Sequence, residues 1–333
     1  MDTRAVYFTG PRQAELRHED LAPPGPGEVQ VQTLVSHVSL GTESHCYRGE
    51  FEPGTLWDKW VTYPFRPGYS CVGRVTAVGS DVTDLSLDDR VATMSPHRSH
   101  ANLRVDPRTV IRLADTDTLD AAAWANLAVT TQTGVRRAGH AMGDRAVVIG
   151  LGPLGQLVTQ YLRLLGLARI MVIDTDQHRL DLALAHGATH AFCGRSDHAH
   201  DWLAELTDGT LADVVYDITG NAAVFASALQ LVRTQGILLL MGDTPHPQRQ
   251  HLTHDVLTRQ ITIMGTHSDR VPQAMAQWTR DRQIRLFLDY VARGDMRLDD
   301  LTDRRIHPDE LPALYDSLVA GSPPWLGVLV DWT

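Results

Sequence analysis

In Ala146-Val-Val-Ile-Gly150-Leu-Gly152-Pro-Leu-Gly155, three glycines stand where a chain leaving an apolar strand must turn, admit an anion and enter a helix. Gly150 permits the turn, Gly152 lets backbone N–H groups approach a pyrophosphate, and Gly155 lets the helix pack close to the sheet. Pro153 and Leu154 open that helix, whose amino terminus faces the phosphates. A second apolar strand, Arg169-Ile-Met-Val-Ile-Asp174, ends in an acid at the spacing of a dinucleotide site. The Asp174 carboxylate would accept ribose hydroxyls and repel a 2′-phosphate, which favours NAD over NADP. Arg179 would flank the adenine, bind a phosphate, or be solvated.

These residues need a parallel sheet beneath them. From about Leu119 the chain alternates helical and apolar segments: Ala121 to His140, the glycine unit, Val214 to Gly220, Ile237 to Gly242, and Ile261 to Gly265. Buried strands joined by crossover helices predict a doubly wound Rossmann sheet. Before that, short strands broken by Gly and Pro turns, such as Glu28 to Val35 and Cys71 to Gly79, predict a mostly β domain. Helical segments near Arg282–Arg293 and Pro308–Ala320 and a closing strand, Trp325 to Trp332, are expected to return to it. The expected division is residues 1–118, an NAD-binding domain over 119–268, and a returning segment over 269–333.

With 333 residues and 43% hydrophobic content, the chain can bury two cores. A net charge of −10 argues against nucleic acid or an anionic membrane and for a small-molecule substrate. Three cysteines without a C-x-x-C pair give neither a disulfide framework nor a four-cysteine zinc lobe. The amino terminus lacks an apolar signal core, so a cytoplasmic protein is expected.

The order of domains resembles the medium-chain dehydrogenase/reductase superfamily. The marks are Pro67-Gly-Tyr69-Ser70-Cys71-Val-Gly73, Asp89-Arg-Val91, the Thr-rich helix holding Thr131, and Ile218-Thr219-Gly220 and Met241-Gly242 at strand ends. The resemblance implies a GroES-like catalytic domain beside the Rossmann domain, a homodimer, and Thr131, Thr219, Gly242 and Thr266 among the cofactor contacts. Zinc-dependent members carry a Cys-Gly-x-Asp-x-His run and a Pro-Gly-His-Glu motif. Here the first reads Leu40-Gly41-Thr42-Glu43-Ser44-His45, and Tyr69 and Ser70 replace the His-Glu pair. Leucine cannot bind zinc, so a zinc-free enzyme is expected. Ser39-x-Gly41-Thr42-Glu43, Tyr47-Arg-Gly49 and Leu329-Val-Asp-Trp332 are most similar to the zinc-free branch of bacteriochlorophyllide-dehydrogenase-like proteins.

Without a metal, oxidation of an alcohol needs a protein base or relay. The resemblance places Thr42 and His45 in a relay through the nicotinamide-ribose hydroxyl, and puts Tyr69 near the reacting carbon. An ordinary tyrosine pKa of about 10 is too high for a base at neutral pH unless a cation, Lys59 or a histidine, lowers it. Glu43 either acts as a base or holds N–H groups. His100, in a His-Ala pair common in that branch, is a further candidate, with His97 just before it. Trp57 and Lys59 would line a substrate pocket or pack under a loop, His97 would line that pocket as well, and His267 would lie near the nicotinamide or at a dimer contact. The expected reaction interconverts a secondary alcohol and a ketone on a polyol, cyclitol or other polar metabolite. Reduction of a polarised C=C or C=N bond, and NADH binding without catalysis, remain alternatives.

Overall fold

A computed structural model describes residues 1–268, 270–321 and 325–333. Residues Met1–Leu127 with Trp278–Thr333 form one compact unit, and Ala128–Gln277 form a second. These divisions fall somewhat later in the chain than the textural changes near residues 119 and 269.

In the first unit, β1 (Asp2–Gly10) and β2 (Gln13–Asp20) pair as an antiparallel ribbon. They are followed by β3 (Glu28–His37), β4 (Cys71–Val78), β5 (Arg90–Thr93), β6 (His100–Arg104) and β7 (Val110–Arg112). The second unit contributes β8 (Arg145–Ile149), β9 (Arg169–Asp174), β10 (His190–Cys193), β11 (Ala212–Asp217), β12 (Val232–Leu240) and β13 (Thr262–Gly265). The returning chain adds β14 (Thr302–Ile306) and β15 (Gly327–Asp331) to the first unit, where β15 lies antiparallel to β3.

The sheet of the first unit runs β14-β15-β3-β4-β5-β7, with β6 also paired to β3. Beside it lies an aromatic core in which the Phe8 ring meets Tyr315 at 4.7 Å and Tyr47 at 5.1 Å, both edge-on. Tyr47 comes from the Leu40–Arg48 helix and Tyr315 from the Leu311–Ala320 helix, so the returning segment completes a core begun by the first residues.

The second unit is a six-stranded parallel sheet, β10-β9-β8-β11-β12-β13. Its order reverses between β8 and β11, and ligands of such sheets bind at that switch point beyond the carboxyl ends of the strands. Ala146 to Ile149 and Ile170 to Ile173 are all buried, as strands covered on both faces require. The helical reading of Ala121 to His140 is corrected to two helices, Leu119–Ala123 and Ala125–Ala138. Trp124, wholly buried, tightens the junction by donating its N–H to the Ala121 carbonyl at 3.0 Å.

His37, at the end of β3, is also wholly buried, 4.3 Å from the Trp124 ring, and neither ring nitrogen has a partner. Burial, helped by nearby His97, lowers its pKa from 6.5 to about 3. The unfolded chain therefore binds a proton that the folded chain refuses. Stability is fully present above pH 6.5 and is lost as pH falls toward 3. Between about pH 7 and about pH 5 the wild type should lose ~2 kcal/mol more than His37→Leu, read from urea midpoints; equal losses would show that His37 does not carry the acid sensitivity.

Candidate functional site

The dinucleotide cradle is built at the end of β8. Gly150 adopts φ +90, and a Cβ there would lie 2.8 Å from the Thr219 methyl group. A Cβ on Gly155 would lie 2.1 Å from the Gly150 carbonyl oxygen, so only glycine lets the Pro153–Leu165 helix start this close to the strand. Gly152 caps that helix with open space around its Cβ position, leaving the amino-terminal N–H groups approachable beside Pro153 and Leu154. At the end of β9, Asp174 accepts the Leu151 N–H at 2.6 Å and the Asp176 N–H at 3.0 Å. Those bonds fix the carboxylate and leave acceptor capacity on both oxygens.

The other cofactor candidates divide. Arg179 pairs with Asp176 at 3.8 Å, next to Asp174. Gly242 lets its loop approach Gly220 so closely that a Cβ would lie 2.3 Å from the Gly220 nitrogen. The Thr219 hydroxyl donates to Asp217 at 2.8 Å, which orders the end of β11. Thr266 holds a buried hydroxyl oxygen with no partner, as a group awaiting a ligand would. Thr131 is wholly buried, and its hydroxyl donates back to the Ala128 carbonyl of its own helix at 2.9 Å. His267 is exposed. The open helix terminus, the fixed acid and the unpaired Thr266 hydroxyl fit a dinucleotide.

In the first unit the Leu40–Arg48 helix begins at Ser39, whose side chain does not cap it. Its Oγ instead lies 2.6 Å from the Tyr69 hydroxyl, and the Thr42 hydroxyl is a second partner of the same phenol. Burial raises the Tyr69 pKa; the Ser39 and Thr42 bonds oppose the rise, and Glu43 and Cys46 add to it. None of these neighbours is a cation and Lys59 is exposed, so they do not meet the condition under which Tyr69 would become a base near neutrality. The phenol stays neutral at physiological pH. A neutral phenol can donate a hydrogen bond and accept one.

Glu43 is 1% exposed. Its carboxylate accepts the Ser39 N–H at 2.7 Å, the Tyr315 O–H at 2.6 Å and His97 Nε2 at 3.1 Å. A group so fully engaged is no general base, and of its two expected roles the holding one applies. His97 is corrected from pocket residue to core: it is 0% exposed, with Nδ1 2.8 Å from Ser36 Oγ. His100 is not brought to this group; Ser99 and Thr3 bond its ring and backbone, and burial beside Arg98 lowers its pKa. His45 is half-buried, its ring 5.5 Å from Trp57. Of its two expected placements Trp57 takes the packed one, 6% exposed and stacked on Phe51.

The positions of the zinc ligands supply no metal donors. Leu40 is buried among apolar side chains, the Ser70 hydroxyl donates to the Ala123 carbonyl at 2.7 Å, and Tyr69 is a protonated phenol. Asn126 donates to the carbonyls of Tyr69 at 2.6 Å and Thr93 at 3.0 Å and accepts from Arg280. Among the described residues, no group of three or more His, Cys, Asp or Glu could hold a metal ion. A catalytic zinc does not fit this donor set.

A β-rich unit interrupted by a parallel nucleotide-binding sheet defines a two-domain protein of GroES-like and Rossmann parts. Residues 25–138 match the alcohol dehydrogenase GroES-like domain, and residues 153–292 match the zinc-binding dehydrogenase family. The chain belongs to the medium-chain dehydrogenase/reductase superfamily, of the zinc-type alcohol dehydrogenase-like kind. The second match begins at Pro153, beyond Leu40, Tyr69 and Ser70. The chain is 24% identical over 293 residues to an L-threonine 3-dehydrogenase from Caldanaerobacter subterraneus, covering 78% of this chain and 81% of that one. It is 25% identical over 340 residues to D-guloside 3-dehydrogenase of Shigella flexneri, covering 96% and 97%. Galactitol-1-phosphate dehydrogenase from Escherichia coli superposes with a TM-score of 0.83 at 17% identity, covering 98% and 99%.

Residues that the sequence reading left out of the site are Ser36, Ser39, Asn126, Arg280, Tyr315 and Trp332. Ser39 and Trp332 lay inside quoted motifs; the others carried no local signal. Gly155→Ala should destabilise the second unit by about 1–3 kcal/mol and weaken NADH binding. Calorimetric melting and titration check this, and a variant with unchanged melting would contradict the close approach of Gly155 to Gly150.

Proposed function

We propose that this chain is a zinc-independent dehydrogenase that uses NAD(H) to interconvert a secondary alcohol and a ketone on a polar metabolite such as a polyol or cyclitol. The observation that carries the proposal is the Tyr69 phenol, bonded to Ser39 at 2.6 Å, at a position where zinc-dependent relatives place a ligand. Relatives named as dehydrogenases of threonine and of a guloside, both hydroxyl-bearing substrates, support oxidation of an alcohol.

Gly152 and the helix it caps would hold the pyrophosphate, and Asp174 the adenosine ribose. The nicotinamide, when bound, takes or gives the hydride. Tyr69 Oη then exchanges the proton of the substrate oxygen, and Ser39 and Thr42 accept or return it. His45, one turn beyond Thr42 on the same helix face, is the group whose ordinary pKa lies near neutrality. The outer strand β13 offers the edge along which two copies would pair.

Tyr69→Phe should lower kcat by about 10²–10⁴ while leaving the Kd for NADH, measured by calorimetry, unchanged. Wild-type turnover in that variant would remove Tyr69 from the chemistry, and turnover of enones or imines but not ketones would reassign the reaction. Asp174→Ala should narrow the preference for NADH over NADPH in the same titration. An NADPH preference in the wild type would overturn the role given to Asp174.

A further inference from the structure

Tyr69 is held by its backbone as well as by its hydroxyl. Asn126, at the start of the Ala125–Ala138 helix and 3% exposed, gives both amide hydrogens to carbonyls. One goes to Tyr69 at 2.6 Å and the other to Thr93, the last residue of β5, at 3.0 Å. Its Oδ1 accepts from Arg280, which opens the Arg280–Ala292 helix of the returning segment. A carbonyl cannot donate and a guanidinium cannot accept, so all three bonds require the same orientation of the amide.

The peptide groups on either side of Tyr69 are tied elsewhere. The Pro67 carbonyl accepts the His97 N–H and the Ser70 carbonyl the His37 N–H, both at 2.8 Å. The Ser70 hydroxyl donates to Ala123, and Gly68 adopts φ +96 where a Cβ would lie 2.6 Å from the His97 ring. Asn126 is the side chain that joins the Tyr69 carbonyl itself to β5 and to the returning helix. A phenol oxygen stands at the far end of a rigid side chain, so a small turn of that peptide becomes a larger displacement of Oη. Oη lies 2.6 Å from Ser39 Oγ and has Thr42 as a second partner, so such a displacement strains both bonds.

We propose that Asn126 is a positioning residue, its amide clamping the Tyr69 carbonyl to β5 so that the phenol meets the substrate oxygen, with Arg280 locking the clamp from the returning segment. The inference rests on the reading of Tyr69 given above. Asn126 exchanges no proton and acts only through Tyr69.

The test is a double-mutant cycle on the full chain with Asn126→Asp, which keeps the shape of the side chain and its acceptor for Arg280 but removes both donors to the carbonyls. Turnover is expressed per NADH site counted by calorimetry, so unfolded protein does not enter it. Asn126→Asp should lower kcat by about 10-fold to 10²-fold, the scale of a misplacement of ~1 Å, with the Kd for NADH unchanged. In the Tyr69→Phe background the same substitution should lower kcat no further, because the group it positions is gone. Equal fold losses in the two backgrounds would make Asn126 a general support of the fold and overturn the proposal. Placement is read separately by ¹⁹F NMR of fluorotyrosine-labelled protein, the Tyr69 resonance being assigned by its loss in Tyr69→Phe. Asn126→Asp should shift that resonance, and an unmoved one overturns the proposal as well. Should Asn126→Asp not fold, Asn126→Ser, whose hydroxyl has a single donor hydrogen for the two carbonyls, enters the same measurements with the same expectations. Wild-type turnover in Tyr69→Phe alone would sink the proposed function, and the resonance then decides the placement of Tyr69 by itself.

Discussion

A carboxylate taken out of water must be met by donors, and the structure of the first unit follows from meeting Glu43. Its three donors come from distant parts of the chain: Ser39 opens the Leu40–Arg48 helix, His97 lies between β5 and β6, and Tyr315 belongs to the returning segment. No stretch of local sequence can satisfy the group. It becomes tolerable only when β15 and the Leu311–Ala320 helix have closed over the amino-terminal strands, so burial and topology enforce each other. Removing one partner leaves a buried polar group short of a hydrogen bond, which costs more than the bond itself contributes.

The same constraint shapes the site. A serine at a helix start ordinarily caps the exposed N–H groups, at a typical gain of about 1 kcal/mol. Ser39 forgoes that cap and turns its hydroxyl to Tyr69, while Glu43 holds the Ser39 N–H. Leu40 fills with hydrocarbon a place that a metal ligand takes in zinc-dependent relatives, and Ser70 closes on a backbone carbonyl. The phenol of Tyr69, its pKa raised by burial, lies between Ser39 and Thr42.

The second unit was the more legible in sequence because its chemistry is local. The glycines, the Pro153–Leu165 helix and Asp174 all belong to one strand–helix–strand segment, and periodicity with spacing was enough to place them. The apolar strands of the parallel sheet were legible for the same reason. The helix break at Trp124 was not, since a buried aromatic reads as one more apolar position in a helical run. Thr131 was ambiguous in sequence because a threonine in a helix can bond its own backbone as well as a ligand. In the first unit, His97 and Trp57 drew attention by residue type, yet type does not report burial. Tyr315 joined the site only through contacts across most of the chain's length, which no local pattern encodes.

The central claim is that proton transfer here is done by side chains without zinc. The most direct measurement is turnover of a polyol and cyclitol panel with NAD by protein stripped with a chelator, its zinc content determined on the same sample. Undiminished oxidation at negligible zinc is the predicted result. Activity that is lost on stripping and returns with one equivalent of zinc would contradict it.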